Sequence, residues 1–107
     1  MRRREAGGTT SMSSDPTIRT YRAQIAELDL KLLEALNARI DLVKRLKDHK
    51  EARGLGFHDA AQEDRVLAAL GRANRGPLSG EGLEAIFRLV LEWSKRDAAR
   101  AGEAQAD

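Results

Sequence analysis

Between Pro16 and Gly54 the chain contains neither proline nor glycine. No other feature restricts its fold as strongly. Within this run Ile18, Tyr21, Ile25, Leu28, Leu32, Ala35, Arg39, Leu42 and Leu46 follow alternating steps of three and four. That spacing makes one amphipathic helix with a heptad-like stripe sustained for over five heptads. Asp15 is suited to cap its start and Pro16 to occupy its first turn. The glycines of "RGLGF" end it.

Two shorter helices are expected after it. In "HDAAQEDRVLAALGRAN", Asp59 and Gln62 have the spacing of a capping box, and Val66, Leu67 and Leu70 form an apolar face. "RGPLSGEG" breaks the chain again. A third helix is expected from about Gly82 to Arg100, with Leu83, Ile86, Phe87, Val90 and Leu91 inward. Residues 1–15 read as a disordered polar tail, 16–101 as one all-α domain, and 102–107 as a frayed end. There is no strand-like alternation and no internal repeat.

The unequal lengths raise a packing problem. The first helix rises about 1.5 Å per residue and so exceeds about 50 Å. A globule of this size has a radius of gyration near about 13 Å. Two short helices cannot cover the stripe from end to end, so the expected architecture is a homodimer in which the long helix spans both halves. A monomer with that helix bent near Lys47 is the other arrangement.

Composition removes several classes of function. Aromatics are 4% of the chain, so the core must be aliphatic, and the absence of cysteine excludes disulfides and thiolate metal sites and suits a reducing cytoplasm. No apolar run approaches the roughly 20 residues of a membrane span. The start "MRRREAGG" lacks the apolar stretch of a secretory signal. A net charge of +2 gives no nucleic-acid signature beyond the short cluster Arg2, Arg3 and Arg4, which reads as a solvated end.

Four polar residues sit where apolar ones are expected. Arg39 occupies the stripe of the long helix. A buried guanidinium without a partner is very costly, so Arg39 must snorkel to water, pair with an internal carboxylate, or meet an anion from outside. Lys50 lies eleven residues on, about 20° away around the helix, and shares its face. Glu63 precedes Val66, Leu67 and Leu70 by three, four and seven residues, which places a carboxylate on the second helix's apolar face. It also suits a first-turn acid stabilising that helix start. Ser94 continues the stripe of Phe87, Val90 and Leu91. Arg22 points about 100° away from Arg39 and serves the same pocket only from a second copy of the chain. These residues suggest an inter-helix pocket for a small dianion that also carries a hydroxyl or amine. His49 and His58 flank a polar turn, and no nucleophile–base pair, metal spacing or phosphate-binding glycine loop is present. No cofactor is expected.

The run "YRAQIAELDLKLLEALNARIDLVKRLKDHKEARGLGFHDAAQED", with the later "IFRLVLEWSKRDAA", resembles the all-helical class of chorismate mutases over Ile18 to Arg100. The resemblance implies an intertwined homodimer of three-helix subunits and the rearrangement of chorismate to prephenate. It implies that Arg22 reaches the partner's site to bind one substrate carboxylate, and that Arg39 pairs with the other. Lys50 then contacts a carboxylate and the ether oxygen. Asp59 and Glu63 lie near the ring hydroxyl, and Ser94 lies close to a carboxylate. Two positions depart from the family pattern. Gln62 stands where arginine is usual, and Ala98 stands where glutamine or glutamate gives a second hydrogen bond to the ether oxygen. Losing such a donor costs about 2.7–4 kcal/mol, roughly 10²–10³ in rate. The isolated chain is therefore expected to be weak, which is compatible with activation by a partner enzyme. Gln62 also opens a reading in which the substrate is 4-amino-4-deoxychorismate, because removing a cation there favours an ammonium. A relative of the isochorismate pyruvate-lyase type shares the fold but has no positive signal here. A non-catalytic helical dimer is the reading from another class.

Overall fold

The computed structural model describes residues 14–56 and 59–106, with side chains through Ala101. Of the tail expected at 1–15, residues 1–13 lie outside the described residues, as do His58 and Asp107. Within them the chain is all-helical, with no strand: α1 is Pro16–Ala52, α2 is Ala60–Ala73 and α3 is Gly80–Ala106. Two units are distinguished, Met1–Ala35 and Leu36–Asp107, and α1 contributes to both.

Each helix end has a local chemical cause. The Asp15 carboxylate accepts from the amides of Thr17 at 2.8 Å and Ile18 at 3.3 Å, satisfying donors that the first turn of α1 leaves unmade. At the other end the Leu55 amide donates to the Lys50 carbonyl at 2.8 Å, and the Gly54 amide to the Glu51 carbonyl at 3.1 Å. This crossed pair is a Schellman closure, and Gly54 adopts the left-handed φ of +72° that it requires. Lys50 is thereby fixed in the last turn of α1. Between α2 and α3, Asn74 holds the turn from both sides: its carbonyl oxygen accepts from the Gly76 amide at 2.9 Å, and its amide nitrogen donates to the Leu78 carbonyl at 2.8 Å. Ser79 starts α3, its hydroxyl accepting from the Gly82 amide at 3.0 Å. A Cβ on Gly82 would lie 3.0 Å from that same hydroxyl, so glycine there keeps the cap open.

The α3 limits differ from the sequence expectation. The helix begins at Gly80 because Ser79 supplies the cap, and it runs on to Ala106. The segment "AGEAQA" is rich in good helix formers, and a single glycine is not enough to stop it.

In the second unit the core follows one face of α3. Leu83, Leu91, Ser94 and Ala98 are buried, Ala98 completely, while Phe87 and Val90 are half-buried. Ile86, expected inward, is 50% exposed. The backbones of α2 and α3 approach each other closely. In the first unit, Tyr21, Ile25, Leu28 and Leu32 on α1 are 58–63% exposed.

The α1 stripe also shifts along its length. Leu42 is 63% exposed, whereas Arg39, Ile40, Val43 and Lys50 are half-buried. A straight helix drifts about 20° per heptad against a strict 3.5-residue repeat, so over several heptads the covered face moves from Leu42 toward Val43.

Gly54→Ala forces a Cβ into the left-handed region with nothing nearby to compensate. The expected cost is about 1–2 kcal/mol, measurable as a lowered urea midpoint with an unchanged slope.

Candidate functional site

A cavity of about 170 Å³ opens in the second unit, lined by Arg39, Val43, Leu46 and Lys50 from α1, Asp59, Gln62, Glu63 and Val66 at the start of α2, and Leu91 and Lys95 from α3. Its volume equals on the order of five or six waters. That is less than the 300–1,000 Å³ usual for a closed ligand pocket.

The α1 wall follows from helix geometry. Taking Arg39 as zero, Val43, Leu46 and Lys50 lie within an arc of about 60°. Arg39 and Lys50 thus share a wall but start about 16 Å apart along the axis. Two long cationic side chains bracketing a cavity from its ends suit a ligand whose negative charges sit on separate arms. The neighbouring lysines have partners of their own: Lys44 pairs with Asp48 at 2.7 Å and Lys47 with Glu51 at 3.1 Å.

Arg39 satisfies its charge differently from these lysines. It is half-buried on the cavity wall, and among the described residues no carboxylate lies within ion-pair distance of its guanidinium. Of the three ways to accommodate it, the internal ion pair is therefore not the one used. Water or an anion from outside must satisfy it.

The α2 wall starts with Asp59, whose carboxylate caps the helix by accepting from the Gln62 amide at 3.1 Å. Its other oxygen lies 3.8 Å from an Arg65 guanidinium nitrogen. Only half of the expected capping box forms, because the Gln62 side chain does not turn back. Its carbonyl oxygen accepts from Arg65 Nε at 3.0 Å instead. The remaining group of that side chain is its NH₂, a pure donor. Glu63 is about one-third exposed and accepts a 2.7 Å ion pair from Lys95 on α3.

The remaining sequence candidates stand elsewhere. Ser94 and Ala98 are sealed in the core face of α3, and neither is a wall of this cavity. Arg22 is an exposed residue of the first unit. Sequence reasoning missed Lys95, although it lies four residues after the buried Leu91 and so shares its side of α3. Among the described residues no group of three or more His, Asp or Glu is placed to hold a metal ion, and no helix is long and apolar enough to cross a membrane.

The cavity therefore combines three cations with two carboxylates, each carboxylate already engaged by a cation, while among the described residues no carboxylate answers one of the three, Arg39. That arrangement is suited to binding and orienting an anion. It holds no nucleophile–base pair, so its chemistry must come from positioning and electrostatics. A family model described as chorismate mutase type II matches residues 21–98, a span that includes every cavity residue together with Arg22, Ser94 and Ala98. No curated protein matches the chain. The family match covers well over half of the chain, and on that basis the chain belongs to the chorismate mutase type II family and is an isomerase.

Proposed function

We propose that the chain converts chorismate to prephenate, and that it does so as a homodimer in which two copies build each site. The observation that carries this reading is the half-buried Arg39 on a cavity wall, with no carboxylate among the described residues to answer it, on the same helical arc as Lys50. The reaction is an intramolecular Claisen rearrangement: the ether C–O bond breaks as a new C–C bond forms, and no proton is transferred to or from the protein. A site for it has to fold the substrate into its reactive shape and stabilise negative charge growing on the ether oxygen.

In this reading Arg39 holds one carboxylate, and Lys50 reaches a second carboxylate and the ether oxygen. Arg22 of a second copy binds from the open side of the cavity. The exposed apolar residues Tyr21, Ile25, Leu28 and Leu32 support a second copy, because a stripe of that size left in water is the mark of an association surface. Glu63 faces the ring hydroxyl with Asp59 beside it, and the NH₂ of Gln62 adds a neutral donor where the family usually has arginine. Ser94 stands behind the cavity, on the core face of α3. Ala98 offers a methyl group where a hydrogen-bond donor to the ether oxygen is usual, so the isolated enzyme is slow and is open to activation by a partner enzyme.

Lys50→Ala is expected to lower kcat/KM for chorismate by about 10²–10³, read from the loss of chorismate absorbance with time. Turnover that survives this change intact rejects the reading, and a chain with no saturable turnover at all is the non-catalytic dimer instead.

Shared sites have a second signature. Arg22→Ala and Arg39→Ala are each expected to be inactive. After the two variants are unfolded and refolded together, about a quarter of wild-type activity should return, because half of the dimers are mixed and each holds one intact site. No recovery on mixing means that Arg22 acts within its own chain or not at all.

A further inference from the structure

Lys95 is the one charged wall of the cavity that neither the helix patterning nor the family pattern singles out. Its ammonium lies 2.7 Å from Glu63 Oε2, and both side chains are about one-third exposed at the cavity edge. The partners of the neighbouring α2 side chains are also set. Asp59 is taken up by the helix cap and Arg65, and Gln62 by Arg65. Glu63 is therefore the carboxylate on this wall that a ring substituent can meet, and it arrives there with a cation already attached.

We infer that Lys95 is a specificity-determining residue: by occupying Glu63, it selects a substrate with a neutral hydroxyl on the ring over one with an ammonium. This rests on the preceding reading, with the ring substituent at Glu63. A carboxylate has two oxygens and several lone pairs. With Oε2 engaged by Lys95, Oε1 still accepts a hydrogen bond from a hydroxyl at no electrostatic penalty. An ammonium at the same point gains less from a carboxylate whose charge is already cancelled, and it also meets the like charge of Lys95. The same pair counters the simple expectation from Gln62. The cation missing from position 62 of α2 is supplied from α3, so the wall is not left negative enough to favour a cationic substrate. Lys95 acts here as a positioning residue, through Glu63, with no contact to the reacting atoms.

The test compares chorismate with 4-amino-4-deoxychorismate on the wild-type protein, Lys95→Met and Lys95→Arg. The wild type is expected to favour chorismate. Lys95→Met should shift the ratio of kcat/KM values toward the amino substrate by on the order of tenfold, a moderate figure because the pair is partly solvated. Lys95→Arg should restore the wild-type ratio. A loss of folding or packing lowers both rates together and does not change their ratio. If Lys95→Met does not fold, Lys95→Gln carries the same expectation. A ratio that stays constant across these variants overturns the inference, as does a wild type that already prefers the amino substrate. With a constant ratio the chorismate mutase reading stands if Lys50→Ala still lowers turnover by about 10²–10³; a wild type that prefers the amino substrate overturns that reading's choice of substrate as well. If the wild type converts neither substrate, that reading fails first, and the inference with it.

Discussion

A guanidinium half removed from water has to recover the hydration it gives up, and at Arg39 no carboxylate among the described residues does so. The other features of the site can be ordered around that need. Lys50 is held on the same wall because the Schellman closure at Gly54 ends α1 one turn beyond it. Asp59 and Glu63 could have quenched the cavity's positive character, but each is engaged elsewhere, Asp59 by its helix cap and Arg65, Glu63 by Lys95. The positive end of the cavity is thus left open to an incoming anion, because the negative groups are paired with other cations. For a reaction that needs no proton transfer, this is most of what a protein has to supply.

Much of the architecture was legible from the chain because it rests on local chemistry. Asp15, Asp59 and the glycine pair after Arg53 act through neighbouring backbone groups, so the limits of α1 and the start of α2 follow from short motifs. Arg39, Lys50 and Glu63 stood out because a charge on an apolar face is an anomaly whatever packs against it. Lys95 gave no such signal. A lysine among "WSKRD" reads as a solvated helix residue until α2 is seen to bring Glu63 within 2.7 Å. The exchange of Leu42 for Val43 on the covered face was hidden for a different reason: a few degrees of drift per turn decides it, and residue types do not report that drift. The end of α3 was misjudged by treating a polar composition as a stop signal, when alanine, glutamate and glutamine all propagate a helix.

Gln62 and Ala98 show how two departures from a family pattern have different physical weight. Gln62 is an exchange of a charged donor for a neutral one on an open wall, with Arg65 and Lys95 close enough to redistribute the charge. Ala98 is fully enclosed on the core face of α3, and its methyl group has no donor to offer. The first can be compensated by rearranging side chains.

Asp59 belongs to two structures at once, since the carboxylate that caps α2 also forms part of the cavity wall. Occupancy of the cavity and the integrity of the first turn of α2 are therefore thermodynamically linked. A ligand that holds this wall in place suppresses fraying there, and an empty cavity leaves the cap to open on its own. Amide hydrogen exchange at Gln62 and Glu63 would then report occupancy directly, as slowed opening of one helical turn, without any need to follow the chemistry.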